Sequence, residues 1–190
     1  MRQHGASRCR TWRKRHPAVD ADSHEVVAAE LTVAFVGDAE VLPDLLAQLP
    51  AEASIAIVAT DGADDTQVCH PALLERRVTA LIPPRAGAVA WPPLAESPPH
   101  PRTVTLDAIQ QYGRTRWKPL SGYHRRSLAE AAMLRLQRFF GGHLKNHRFD
   151  PQTIEAYAHL AALNIMTRWV CRKLSQSANQ TLQHLSTLHR

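Results

Sequence analysis

The chain has 190 residues, of which 44% are apolar and 21% are charged, and its net charge is +6. This size and composition predict one globular domain with a single core and argue against a disordered chain. No apolar run approaches the ~18 residues of a membrane span, and the basic start of the chain lacks the apolar stretch of a signal peptide. Three cysteines without paired spacing argue against a disulfide scaffold and favour a reducing cytoplasm.

The charges are strongly segregated along the chain. Residues 1–16 hold six Lys or Arg and no acid, residues 17–75 hold twelve acids and no Lys or Arg, and residues 76–190 hold seventeen Lys or Arg against five acids. The basic second half indicates a phosphate-rich partner such as DNA. Solvated faces of basic helices would give the same composition, so the charge pattern alone leaves both interpretations open.

The first half alternates between strand and helix patterns. We predict strands over 11–20, 25–32, 54–59 and 78–82, a helix beginning at Asp38 and a short helix over 66–76. This alternation is typical of an α/β sheet with mixed pairing. Pro17 weakens the first strand unless it lies at an edge or a bulge.

The second half is predicted to be mostly helical. Residues 83–101 hold seven of the thirteen prolines, which favours an extended surface segment. Helices are predicted over 105–116, 125–141 and 151–171, and the polar tail 171–190 allows only a marginal helix. The last predicted helix has one apolar stripe, formed by Ile154, Ala158, Ala161, Ala162, Ile165, Met166 and Trp169.

One stripe of the helix predicted over 125–141 carries polar residues. At ~100° per residue, Tyr123, Arg126, Glu130 and Gln137 fall within about 60° of one another. This arrangement presents a carboxylate beside an arginine, as a metal ligand next to a phosphate-binding group would require. The opposite face is predicted to be core and holds Ala129, Ala132, Met133, Leu136, Phe139 and Phe140.

Asp61 follows a predicted central strand, where α/β sheets place their ligand sites. A strand-end Asp and a helical Glu such as Glu130 could hold a divalent metal between carboxylates. An Asp-Gly after a strand is also a common turn, and a helical Glu is also common on a solvated surface. We expect Asp65 to be a helix N-cap and Asp64 to be exposed turn surface.

Other catalytic chemistries find little support in the sequence. His143 and His147 are four residues apart, but HLKNH lacks the glutamate of a zinc protease motif. The adjacent Gly141-Gly142 pair predicts a helix end instead. The chain has no phosphate-cradling glycine loop, nucleophile elbow or Cys-x-x-Cys pair.

Six ordered segments resemble one protein family. They are TWRKRHPAVD, EVVAAELT, VGDAEVLPDLL, TDGADDT, IPPR and SGYHRRSLAE. In this order and spacing they resemble bacterial insertion-sequence transposases, in the insertion sequence five family of the insertion sequence four-like DDE superfamily. The resemblance divides the chain into a partial ribonuclease H-like DDE transposase domain over 1–170 and an atypical polar tail over 171–190.

The resemblance implies a ribonuclease H-like fold, an α/β mixed sheet flanked by helices with a helical C-terminal part. It implies that Asp61 and Glu130 are catalytic metal ligands, in a site for two Mg²⁺ or Mn²⁺ ions. Tyr123 and Arg126 fill the first places of the Tyr-x2-Arg-x3-Glu-x6-Lys signature, and they are expected to bind DNA with Arg125 and Gln137. The implied partners are double-stranded transposon ends and either a second copy or an intact transposase, at the bacterial nucleoid in the cytoplasm.

Three departures from the family pattern are visible. The first catalytic aspartate lies on a strand upstream of TWRK, so we expect an N-terminally truncated chain that lacks this strand, and Asp20 is not its equivalent. Gln137 stands at the lysine position, which removes a charge expected to contact DNA. Asp64 replaces the usual tyrosine, and Pro17 interrupts a strand that normally has no proline.

These departures lead to three hypotheses about function. The first is a metal-dependent transposase that cleaves and joins DNA strands, although two of three carboxylates rarely suffice. The second is a catalytically dead remnant that binds DNA or transposase, and the third is a non-functional product of a decayed gene. Because the lost strand would be central in the sheet and its neighbours would keep bare edges, we expect a marginally stable, aggregation-prone chain.

Overall fold

The computed structural model describes residues 11–92 and 100–187. This part of the chain contains four strands, six α-helices and two short 3₁₀ segments. The strands are β1 (Arg13–Val19), β2 (Val26–Val33), β3 (Ile57–Ala59) and β4 (Thr79–Leu81). The helices are α1 (Asp38–Ala47), α2 (Cys69–Glu75), α3 (Pro101–Tyr112), α4 (Arg114–Ser121), α5 (Ser127–Phe140) and α6 (Phe149–Thr187), and the 3₁₀ segments are Gly62–Asp64 and Tyr123–Arg126.

The strands β1 and β2 form an antiparallel hairpin, as the sequence predicts. Pro17 lies opposite Ala29, just before an irregularity in the register between Ala18 and Val19. The Ala29 amide donates to Gln48 Oε1 at 3.0 Å and its carbonyl accepts from the Tyr157 hydroxyl at 2.9 Å. Because both backbone groups of Ala29 point away from β1, Pro17 faces a position without ladder hydrogen bonds, where its missing N–H costs nothing.

The strands β3 and β4 form a separate parallel pair, with Ile57 opposite Thr79. The helices α1 and α2 pack against this pair. Their shared core consists of Leu42, Leu46, Cys69, Leu73, Val78, Ala80 and Ile82. The expected mixed pairing is therefore present, but the described strands make two two-stranded sheets instead of the single sheet that the sequence predicts.

A large cleft separates the two strand pairs. It is lined by residues of β1 and β3 and by apolar side chains of α1 and α5, among them Leu45 and Met133. Among the described strands, β1 and β3 each pair with one neighbour only, so each keeps an unpaired edge.

The helices differ from the predictions in three respects, one of which is that α6 continues to Thr187, through a tail for which only a marginal helix was predicted. Gly113, with a φ of 77°, separates α3 from α4 where one helix was predicted. In α6 the predicted apolar stripe faces outward, and the exposed fractions of Ile154, Ile165 and Trp169 are 71%, 58% and 65%. The face of α6 that packs against α5 and β2 lies two residues further along the helix and contains Ala156, Leu160, Leu163 and Thr167.

Two further sequence predictions need correction or restriction. Phe139 was predicted to be core but is 59% exposed, whereas Ala132 and Leu136 on the same helix are fully buried. The proline-rich segment is not simply surface, because Pro83 and Pro84 are buried; its residues 93–99 lie outside the described part.

The helix α6 runs through the proposed boundary at 170 without interruption, so that boundary stays a prediction. No helix in the described ranges is sufficiently long and apolar to cross a membrane.

Candidate active site in the cleft between the strand pairs

Asp61 lies directly after β3, at the end of the strand as predicted. Its Oδ1 accepts a hydrogen bond of 2.8 Å from the Ala63 amide, so Asp61 caps the 3₁₀ segment Gly62–Asp64. Asp61 is also exposed and lines the cleft. The carboxylate therefore serves the turn and remains accessible to a ligand from the cleft.

Glu130 enters the same cleft from the first turn of α5. Its side chain is 62% exposed, and Oε1 accepts a hydrogen bond of 2.5 Å from Arg126 Nη2, one helical turn earlier. Gln137 follows about two turns later and lines the cleft as well. The predicted neighbourhood of Arg126, Glu130 and Gln137 is thus present in the structure.

Tyr123 lies inside the protein instead of on that stripe. It belongs to the 3₁₀ segment that precedes α5, and its ring packs against Trp117 with a centroid distance of 5.4 Å. Burial raises the pKa of the Tyr123 hydroxyl; the Arg126 guanidinium opposes this shift, and the Asp61 and Glu130 carboxylates reinforce it. Asp61 and Glu130, which are distant in sequence, therefore line the same cleft and both influence this hydroxyl.

Arg125 connects the rim of the cleft to the β1–β2 hairpin. Its guanidinium donates to Asp22 Oδ1 at 2.5 Å and to the Ala21 carbonyl at 3.0 Å. Half of this side chain remains exposed. Arg125 and Arg126 together place two guanidinium groups next to the cleft carboxylates.

Asp65 is not the helix N-cap that the sequence predicts, since Val68 occupies that position of α2. The Asp65 carboxylate is buried and accepts two hydrogen bonds from Arg102, at 2.6 Å from Nε and at 3.0 Å from Nη2. His70 lies 3.2 Å from the same carboxylate. Burial alone would raise the pKa of Asp65, but its bonds to Arg102 and to the Arg85 amide hold it below the ordinary value.

Asp64 is buried as well, although the sequence predicts an exposed turn residue. Its Oδ1 has no hydrogen-bond partner in the described part of the structure. Burial raises the pKa of Asp64 to about 6. A hydrogen bond from the Thr60 hydroxyl opposes this shift, and the nearby carboxylates of Asp61 and Asp38 reinforce it. Sequence reasoning missed this group because its burial depends on α1 and on the cleft wall, which are distant in sequence.

The fit of a divalent cation to this cleft can be judged from the donor groups. Within the described ranges, no cluster of three or more His, Cys, Asp or Glu side chains could hold a metal by itself. Mg²⁺ commonly binds one or two carboxylates and completes its shell with water and substrate phosphates. The oxygen donors of Asp61 and Glu130 and the unpartnered oxygen of Asp64 suit such a hard cation.

Comparison with known protein families decides the affiliation of the chain. The family model described as Transposase DDE domain matches residues 1–165. The chain belongs to this transposase family. No solved structure matches it. Membership in the DDE transposase family assigns the chain a function related to DNA transposition.

Proposed function

We propose that this transposase cleaves and joins transposon-end DNA with the help of a divalent cation. The observation that carries the proposal is that Asp61 and Glu130, which are distant in sequence, line one cleft. The parallel strand pair next to an antiparallel hairpin supports a ribonuclease H-like architecture. The six sequence segments support the finer assignment to the insertion sequence five family.

Each cleft residue has a role in this proposal. Asp61 and Glu130 would hold Mg²⁺ or Mn²⁺, and the chemistry that such an ion would supply is activation of a water or a 3′-hydroxyl and stabilisation of the leaving oxygen of a phosphodiester. Arg126 exchanges its bond with Glu130 for a DNA phosphate, because a guanidinium forms charge-assisted hydrogen bonds with phosphates as it does with carboxylates. Arg125 and Gln137 extend this contact along the cleft.

The proposed partner is therefore the double-stranded DNA of a transposon end. The proposal includes a homo-oligomer or a mixed assembly with another transposase, so that each of two paired ends meets an active site. The proposed place of action is the nucleoid in the bacterial cytoplasm.

A second function is a catalytically inactive protein that binds DNA or transposase. Two observations favour it: Glu130 is ion-paired with Arg126, and the described residues hold no ready-made group of three metal ligands. In this case the basic rim would retain DNA without cleaving it.

The experiment that separates the two functions measures nicking of a supercoiled plasmid that carries the ends of the element. The full chain is incubated with this plasmid in Mn²⁺, alongside Glu130→Gln and the matched control Glu75→Gln, which changes an exposed glutamate of α2. The proposal expects nicking by the wild type and by the control, and a loss of at least ~100-fold in Glu130→Gln. DNA retention without nicking by the wild type would favour the inactive binder.

A further inference from the structure

The buried carboxylate of Asp64 is the group in the cleft that neither the fold nor the proposed chemistry accounts for. Asp64 is only 8% exposed and ends the 3₁₀ segment that follows β3. Its Oδ1 has no hydrogen-bond partner within the described residues. A buried carboxylate oxygen without a partner destabilises the folded state, so native proteins usually give it a hydrogen bond or a cation.

The surroundings of Asp64 are electrostatically unfavourable for an anion. The carboxylates of Asp61 and Asp38 are both near enough to act on Asp64. Asp38 in turn lies 3.5 Å from Lys14 Nζ and 3.5 Å from His16 Nδ1, so its charge is partly balanced by β1. A hydrogen bond from the Thr60 hydroxyl favours the ionised form of Asp64, but within the described ranges no cation is paired with its Oδ1. A positive ion next to Oδ1 would relieve this repulsion.

Asp64 also shares the cleft with the proposed active site. Asp38, Asp61, Asp64 and Glu130 all line it. Asp61 is exposed at this cleft, and Asp64 is buried in its lining. The two aspartates belong to one turn, since Asp61 caps the 3₁₀ segment that Asp64 ends.

We propose that Asp64 is a ligand of a divalent cation that it shares with Asp61 at the end of β3. The site takes hard cations such as Mg²⁺ or Mn²⁺, and water molecules complete the shell because two carboxylates alone do not. In the working complex, DNA phosphate oxygens would replace some of this water. The inference extends the proposed function, but cation binding at Asp64 is measurable without DNA and without catalysis.

The test measures binding of Mn²⁺ alone to the full chain by electron paramagnetic resonance of the free ion. It compares the wild type, Asp64→Asn and the matched control Asp107→Asn, which alters an exposed aspartate of α3. We expect roughly tenfold or greater weakening in Asp64→Asn, since even outer-shell partners of metal ligands contribute 10–100-fold in affinity. The control should bind like the wild type. Equal Mn²⁺ affinity in all three proteins would overturn the inference.

A second measurement keeps the inference testable if Asp64→Asn does not fold. Fe²⁺ replaces Mn²⁺ in the wild-type protein, and ascorbate with peroxide then cleaves the backbone next to the bound ion. We expect cuts clustered around residues 60–65, competed by excess Mn²⁺. Cuts elsewhere, or none, would contradict a site at Asp64.

The outcomes also separate this inference from the proposed function. Mn²⁺ binding that depends on Asp64 without plasmid nicking would support the cation site and refute the catalytic proposal. Nicking by the wild type together with undiminished Mn²⁺ binding in Asp64→Asn would support catalysis and refute the role of Asp64.

Discussion

Asp64 and Asp65 are neighbours in sequence and almost equally buried, with exposed fractions of 8% and 9%, yet their surroundings are opposite. Asp65 is held by Arg102 through two hydrogen bonds and also contacts His70. Asp64 has an unpartnered oxygen and two carboxylates nearby. A buried carboxylate with its partners in place has a structural role, whereas one without them destabilises the fold until a ligand arrives.

Breaking the Asp65 pair should produce the largest change in stability. In Arg102→Met the buried Asp65 carboxylate loses both guanidinium bonds, and Trp91 loses a cation–π contact of 4.6 Å. We expect the free energy of unfolding in urea to fall by about 3–5 kcal/mol. The control is Arg168→Met, which breaks the exposed Glu25–Arg168 pair and should change the free energy of unfolding far less, because solvent screens that pair. Equal losses in the two variants would contradict the structural role of Asp65.

Removing the Asp64 charge should act in the opposite direction. The pKa of Asp64 is about 6 in the folded protein against an ordinary value of 3.8, so the folded state favours the protonated form. The Asp64 carboxyl group therefore makes its full contribution to the free energy of unfolding below pH ~4. This contribution, up to about 3 kcal/mol, is lost as the pH rises through ~6. Asp64→Asn cannot ionise and should therefore be more stable than the wild type at pH ~7.5 in EDTA, and similar to it at pH ~4.

The measurement is urea denaturation at both pH values, with EDTA and then with excess Mn²⁺. Because a ligand of the folded state stabilises it by mass action, Mn²⁺ should stabilise the wild type more than Asp64→Asn. The quantity to compare is the difference in free energy of unfolding between Asp64→Asn and the wild type in EDTA. If this difference is the same at pH ~7.5 as at pH ~4, the Asp64 charge is not destabilising.

The exposed pair in the cleft should contribute least to stability. Arg126 and Glu130 form an i, i+4 ion pair whose side chains are 30% and 62% exposed. We expect Arg126→Gln to change the free energy of unfolding by no more than about 0.5 kcal/mol. The same urea curves provide the measurement. A loss of ~2 kcal/mol or more would mean that this pair is structural, like that of Asp65 and Arg102.

Local patterns in the sequence predicted the elements that depend on nearby residues. The hairpin strands, the position of Asp61 after a strand and the proximity of Arg126 to Glu130 all follow from short-range periodicity. The burial of Asp65 could not be predicted in this way, because its partner Arg102 is 37 residues distant. The outward apolar stripe of α6 shows the same limit, since contacts with α5 and β2 determine which face is buried.

The expected instability of the chain stays a prediction, and the structure gives it a physical basis. The strands β1 and β3 line the cleft, and each pairs with one neighbour among the described strands. The outer edge of β2, in contrast, is covered at Val26 by Asn164, which both donates to and accepts from its backbone at 2.8 Å. A cooperative thermal melt of a clean monomer would count against aggregation through the uncovered edges.

Several arginines of the basic half already bind groups of the protein itself. Arg114 donates to the Pro84 carbonyl, Arg135 to the Thr167 hydroxyl, and Arg168 to Glu25. An arginine whose charge is already paired inside the protein, as that of Arg168 is with Glu25, releases fewer condensed counterions into solution when it binds a DNA phosphate. Each fully neutralised phosphate steepens the fall of log affinity with log salt concentration by about 0.9. The chain should therefore show a shallower slope than its seventeen basic residues after position 75 suggest.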